Sequence, residues 1–400
     1  MSTSIMAKAS PPAAQARMAF VDNIRFTVIA MVVLVHACCT YSGLGSWYYH
    51  ENASLDIASR LVFYVYEIFS QSFFMGLLFF VAAVFTPGAY DRKGFGRFLL
   101  DRFLRLGVPT LVFMFVIHPL TLVIRDGSLG YGAGLAGILR FYGHFVANGT
   151  FVRESGPLWF AFALLGFSLL YALARLVVDT LRGSAPRAVV PVNPSSRSVH
   201  LAAALLIVVM ALGSFLVRLA APVGESWYNM QLCFFAQYIL LFSIGLWAGR
   251  VGLLQSLPRQ AGKVWLRLAF AVGVPAWFLL MGLGGALSGN EKVYGGGWHW
   301  QAAGYAAWEA FFCVAISIGL VTLYRGRANV KNRVTGLLSS TSFGIYVFHT
   351  PLLVGVSVLM RTATMYPLAK ALIAGVVAWA GSLAVAWIVR RIPGLGKLFA

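Results

Sequence analysis

Apolar runs of about 20 residues recur along almost the whole chain, separated by short polar breaks, and no other feature restricts the fold so severely. Wound as a helix, a run of that length matches the hydrocarbon thickness of a bilayer. In lipid every backbone N–H and C=O must be satisfied within its own segment, so helices are the expected form. The spans fall at Ile24 to Tyr41, Leu61 to Phe85, Leu106 to Ile124, Leu158 to Leu176, Leu201 to Ala220, Gln231 to Ala248, Val264 to Leu283, Ala302 to Tyr324, Ser339 to Leu359 and Leu368 to Val389. The expectation is an all-α polytopic membrane protein of about ten transmembrane helices with both termini cytoplasmic. Residues 1–19 would form a cytoplasmic tail, 20–390 the transmembrane domain and 391–400 a second short tail. The first seventeen residues carry Lys8 and Arg17 but no apolar core or cleavage site, so the first helix is expected to be retained.

A formal charge of +19 and a pI near 10.2 would suit a nucleic-acid partner, but the positions of the basic residues argue otherwise. They alternate by loop. Arg92, Lys93, Arg97, Arg102 and Arg105 fall on one side of the membrane, followed by Arg250, Arg259, Lys263 and Arg267 and then by Arg325, Arg327, Lys331 and Arg333. Far fewer fall on the other side. This is the positive-inside bias, and it accounts for the charge without nucleic acid. Cys38, Cys39, Cys233 and Cys313 lie inside predicted spans with no metal-ligand spacing, so no metal is expected.

Against this background the first span is unusual, because RFTVIAMVVLVH places Arg25 and His36 at the two ends of a run otherwise apolar apart from one threonine. Eleven residues make almost three whole helical turns, so both side chains share a face, about 16 Å apart along the axis. An ionisable group within a membrane is expensive and marks a functional site by default. In DRFLRLGVP, Arg102 and Arg105 lie one turn apart at the cytoplasmic mouth of the third span, a spacing that suits a bidentate grip on phosphate. Glu67 in YVYEIFSQSFFMG and Glu309 in AAWEAFFC each need a partner or a water-filled cavity. Both are candidates to orient His36 or to bind an acceptor. Further candidates come from SFGIYVFHTPLL, where His349 precedes a helix-kinking Pro351, and from GGGWHWQ, where Trp298 either anchors the interface or lines an acceptor site. The GSLGYGAGLAGILRFYGHF stretch between the third and fourth spans suits an interfacial or re-entrant element. A buried histidine with arginines at the cytoplasmic mouth is what acyl transfer from a coenzyme A thioester requires: the guanidiniums hold nucleotide phosphates and the imidazole deprotonates an acceptor hydroxyl.

These residues resemble membrane-bound acyltransferase family 3, which includes the glucan-biosynthesis protein C type and polysaccharide O-acetyltransferases. The likeness rests on the R-x10-H pair of Arg25 and His36, on R-x-x-R at Arg102 and Arg105 followed by LGVP, on GPLWF from Gly156 to Phe160, and on SFGIYVFHTPLL. It implies a bacterial inner-membrane enzyme that moves an acyl group, acetyl or succinyl, from cytoplasmic acyl-CoA to a hydroxyl of a glycan or lipid-linked acceptor. His36 would be the catalytic residue, assisted by Glu67 and Glu309, with Arg25, Arg102 and Arg105 on the donor and with Trp159, Trp298 and His349 on the substrate. The rival reading is a proton-coupled transporter or flippase, in which His36, Glu67 and Glu309 form a proton relay.

Overall fold

The computed structural model describes residues 18–51, 54–127, 130–132, 134–182 and 190–399. The expectations for the first seventeen residues lie outside them. Twelve principal helical elements follow in chain order: α1 Ala19–Ser42, α2 Ile57–Gln71, α3 Phe74–Arg102, α4 over 103–126, α5 Gly134–Ala147, α6 Trp159–Arg182, α7 Ser196–Arg218, α8 Phe235–Val251, α9 Arg259–Leu283, α10 Trp300–Arg327, α11 Arg333–Leu359 and α12 Pro367–Val389. No β-strand occurs among the described residues; Trp227 and Met230 form one isolated bridge.

Nine described segments are long and apolar enough to cross a membrane, and the longest, Ile57–Asp126, does so twice. Gly94 adopts a φ of 71° that glycine tolerates at no steric cost, and there the chain turns back on itself. Arg102 Nη2 consequently donates to Thr86 Oγ1 at 3.3 Å, and Lys93 pairs with Asp101 at 2.8 Å. A continuous helix would hold residues 86 and 102 about 24 Å apart. The reversal turns nine segments into ten crossings, in agreement with the sequence.

Polar caps start several of these helices. Asp56 accepts from Ser59 N ahead of α2, and Ser195 from Ser198 N ahead of α7. Asn332 and Thr335 form a reciprocal capping box at α11. Within the bundle, α1 and α10 are buried on most sides, and α1 packs against α2, α10, α11 and α12. The outer helices carry apolar stripes instead: Leu201, Leu205, Val208, Leu212 and Leu216 recur at helical spacing along the exposed face of α7. In a bilayer that face meets lipid, where such exposure costs nothing. The loop expected to be interfacial contains α5, with Leu135 and Leu139 outward and Phe141 and Phe145 inward. α11 continues through Pro351 as one helix. The C-terminal segment folds back, and Phe399 is buried against Phe348.

Candidate functional site

His36 points from α1 toward α11, where a buried hydrogen-bond chain fixes its protonation. His349 Nδ1 lies 2.7 Å from the carbonyl oxygen of Tyr346, which can only accept, so Nδ1 carries the hydrogen. The other ring nitrogen of a neutral His349 is then an acceptor. It lies 2.9 Å from His36 Nδ1, which must therefore be the donor. What remains is the lone pair on His36 Nε2. The planes of the two rings are parallel to within 4°, and His349 is fully buried. Tyr346 closes the chain by donating its hydroxyl to the carbonyl of Pro157.

The loop after α1 supplies a second constraint, which sequence reasoning missed. Trp47 lies flat on His36, with ring centroids 4.0 Å apart and planes 12° from parallel. Electrostatically, an indole face favours the imidazolium over the neutral ring. Short bonds pin this loop at both flanks: Glu51 N donates to Thr40 O at 2.8 Å, and Arg125 Nη1 donates to Tyr48 O at 2.9 Å. Lys370, buried on α12, grips both carboxylate oxygens of Glu51 at 2.6 and 2.8 Å. Burial and the nearby Glu154 charge raise the Tyr48 phenol well above its usual range, so it stays protonated and can donate to His118 Nδ1 at 2.7 Å. His118 also escaped the sequence analysis; an ionisable residue inside the apolar run FVIHPL was the available signal.

His36 lines a cavity of about 1980 Å³ that runs toward the end of the bundle opposite the arginine-rich one. Val32 is as deep as the cavity reaches along α1. Around it stand Glu67, His118, Arg125, Trp159 and Trp277. Trp159 is oriented by the GPLWF segment. Gly156 there has a φ of 49°, and an added Cβ would sit 2.6 Å from both the Tyr48 hydroxyl and Phe113, so only glycine fits. The amide of Gly156 donates to Asn229 Oδ1 at 3.0 Å, and Trp159 stacks on Tyr238 with centroids 5.7 Å apart. Beside it burial raises the Glu154 carboxyl above its ordinary range, with the Asn229 side chain opposing the shift.

The other sequence candidates are distributed around this centre. Glu67 faces the cavity and accepts from Ser42 Oγ at 2.7 Å and from the Cys39 thiol at 3.7 Å; among the described residues these are its hydrogen bonds, and neither involves a histidine. Glu309 lies behind the cavity wall and pairs with Arg218 at 2.5 Å, both essentially unexposed at 2% and 0%. Phe234 and Tyr305, which do line the cavity, cover that guanidinium at 5.4 and 5.2 Å. Trp298 stands outside, 81% exposed against the edge of Phe215. His349 sits behind His36 rather than on the cavity surface.

At the opposite end, Arg25 approaches Asp22 at 3.4 Å, and Arg102 lies within electrostatic range of both Arg25 and Arg105. Arg102 turns inward over the ring of Phe98 at 5.2 Å and leaves its Nε without a partner. Arg105 is more exposed and donates to Asp101 at 3.1 Å. A π-helical turn over Phe103–Gly107 separates the two directions, because its wider winding displaces the face that a regular helix would share. Among the described residues no cluster of three His, Cys, Asp or Glu side chains could hold a metal ion.

A ten-crossing helical bundle with a tautomer-fixed histidine at the head of a large cavity, and with arginines at its far end, defines an integral-membrane protein with a site equipped for proton transfer. The family model described as an acyltransferase domain matches residues 18–391, nearly the whole chain, and the protein belongs to membrane acyltransferase family 3. Acyltransferase activity follows from that membership. Neither the curated proteins nor the solved structures contain a match to it.

Proposed function

We propose that the protein is an O-acyltransferase of the bacterial inner membrane that passes an acetyl or succinyl group from cytoplasmic acyl-CoA to a hydroxyl of a glycan of the cell envelope. The observation that carries this reading is the free Nε2 lone pair of His36, held by His349 and Trp47 at the head of the cavity. In this mechanism the acceptor hydroxyl gives its proton to His36 Nε2 while its oxygen attacks the thioester carbonyl. The C–S bond breaks, the ester forms, and coenzyme A leaves as a thiolate that recovers the proton from His36. Between these steps the imidazolium keeps its bond to His349, now charge-assisted, and rests on the Trp47 face.

Arg25, Arg102 and Arg105 would hold the nucleotide phosphates at the cytoplasmic end, with the unpartnered Nε of Arg102 available to the donor. The pantetheine arm would then follow α1 past Ile29 and Val32 to His36, about 16 Å from Arg25. Trp159 and the other aromatic residues of the cavity suit the faces of sugar rings, and Glu67 would accept from a sugar hydroxyl. The test is release of free coenzyme A from acetyl-CoA and succinyl-CoA by purified protein in nanodiscs. The expected result is release that His36→Ala abolishes while acyl-CoA affinity persists. Solute flux without coenzyme A release would instead establish the transporter reading.

A further inference from the structure

The cavity also reaches an exposed apolar surface on one flank. α2 and α9 meet at Phe69 and Trp277, whose ring centroids are 5.5 Å apart. Further from the arginine-rich end, α2 presents Ile57, Leu61 and Tyr64 to the cavity, and α9 presents Phe278, Met281 and Gly282. Three of these cavity residues also belong to the outer surface: Ile57, Leu61 and Phe278 are 88, 45 and 44% exposed. Val62, Leu279 and Leu283 continue the same apolar surface along the membrane-facing sides of both helices. A mouth opening to water would be edged mainly with polar groups, whereas this edge is apolar apart from Arg60, which stands between Ile57 and Leu61 on α2, and it lies within segments that cross the membrane. Further charged groups, Glu291 and Lys292, also line the cavity, and Tyr64 feels the charges of both Arg60 and Glu291.

The geometry points to lateral entry of the acceptor: a lipid-anchored saccharide reaches His36 through the seam between α2 and α9. Its hydrocarbon chain stays in the outer leaflet against Ile57, Leu61 and Phe278, and its sugar head occupies the cavity. The size of the space agrees, since about 1980 Å³ exceeds the usual small-molecule cleft of roughly 300–1,000 Å³ and admits a head group of several units. The inference rests on the acyltransferase reading for the chemistry at the sugar hydroxyl, but not for the route of entry.

Gly282 offers a plug, because a Cβ built there meets nothing within 4 Å. Transfer from acetyl-CoA is measured in nanodiscs of phosphatidylethanolamine and phosphatidylglycerol, with either dodecyl-β-maltoside in the bilayer or maltose in solution as acceptor. The expected result is preference for the membrane-held glycoside and at least a tenfold fall in that preference in Gly282→Trp. A ratio that the plug leaves unchanged, or maltose acylated as well as the glycoside, overturns lateral entry. A second readout does not depend on turnover: p-benzoylphenylalanine at Tyr64 is expected to capture dodecyl-β-maltoside above its bulk ratio to phospholipid, as reported by the same probe at the lipid-facing Leu205, and Gly282→Trp should abolish that excess. Excess capture without transfer to either sugar leaves the portal standing and removes the acyltransferase reading. Capture at the bulk ratio removes the portal.

Discussion

His349→Ala is the sharpest perturbation of the site, because it leaves His36 and the whole cavity surface in place. It deletes the acceptor 2.9 Å from His36 Nδ1 and with it the reason for the proton to reside on that nitrogen. In the ground state the lost bond is neutral and contributes about 0.5–1.5 kcal/mol. Once His36 has taken the acceptor's proton, the same bond has a charged donor and contributes about 1.5–3 kcal/mol. Only the difference between the two, about 1–1.5 kcal/mol, lowers turnover, and at 1.36 kcal/mol per factor of ten in rate that is a loss of roughly 5- to 13-fold. His349→Gln should recover part of that loss, since its amide oxygen can accept from Nδ1–H. Coenzyme A release at saturating acyl-CoA gives kcat, and acyl-CoA affinity together with a thermal melt shows that donor site and fold persist. Wild-type turnover in His349→Ala, or equal losses in the alanine and glutamine variants, would refute the reasoning.

Arg102→Lys should weaken acyl-CoA binding more than its conserved charge suggests, because an ammonium has no planar fork for phosphate; equal affinity in a direct titration would remove Arg102 from the donor site. Replacing Arg218 by Met or Glu309 by Gln alone should each cost about 3–5 kcal/mol of stability by stranding a buried partner, whereas Arg218→Met with Glu309→Leu should lie closer to wild type; the comparison is made by denaturation in mild detergent. Gly156→Ala should lower the melting temperature and turnover together, since φ = 49° and the Tyr48 hydroxyl both oppose a Cβ; an unchanged melt would show that the segment can yield. Trp47→Ala should reduce turnover by up to about 30-fold with acyl-CoA affinity intact, as expected for a cation–π contribution of up to about 2 kcal/mol to the imidazolium, and Trp47→Phe should lose less.

The sequence exposes those parts of the molecule that depend on one helix at a time. Hydropathy gives the crossings, because each helix answers to the bilayer alone, and period gives the common face of Arg25 and His36. What escapes is whatever depends on two segments meeting. The π-turn at Phe103–Gly107 is such a case: RxxR implies a shared face under regular winding, yet Arg102 and Arg105 part to Thr86 and Asp101. Glu309 is another, since its partner Arg218 lies 91 positions away at the end of a different span. Trp47 reads only as an aromatic in an outer loop until Lys370, Arg125 and His118 are seen to pin that loop over His36.

The same distinction bears on the division of labour along α1. Val28 and Ile29 are buried between Arg25 and the inner end of the cavity at Val32, and Tyr324 donates to Thr27 at 3.0 Å, so this turn of helix is packed on the donor side. In the proposed reaction a thioester arriving from the arginine end would have to pass that packing, whereas the acceptor would meet an already open cavity. Under the proposed reaction such a barrier would have a chemical use, since an open path would let water reach the thioester and hydrolysis would compete with transfer. Enlarging a side chain at this point tests the idea. Ile29→Trp should leave acyl-CoA affinity at the arginines close to wild type while cutting coenzyme A release by an order of magnitude or more. Ile29→Ala should raise acceptor-independent hydrolysis relative to transfer. Should Ile29→Trp turn over normally, the donor does not travel along this face of α1, and the acyl group must reach His36 by a route that avoids the Arg25 side of the helix.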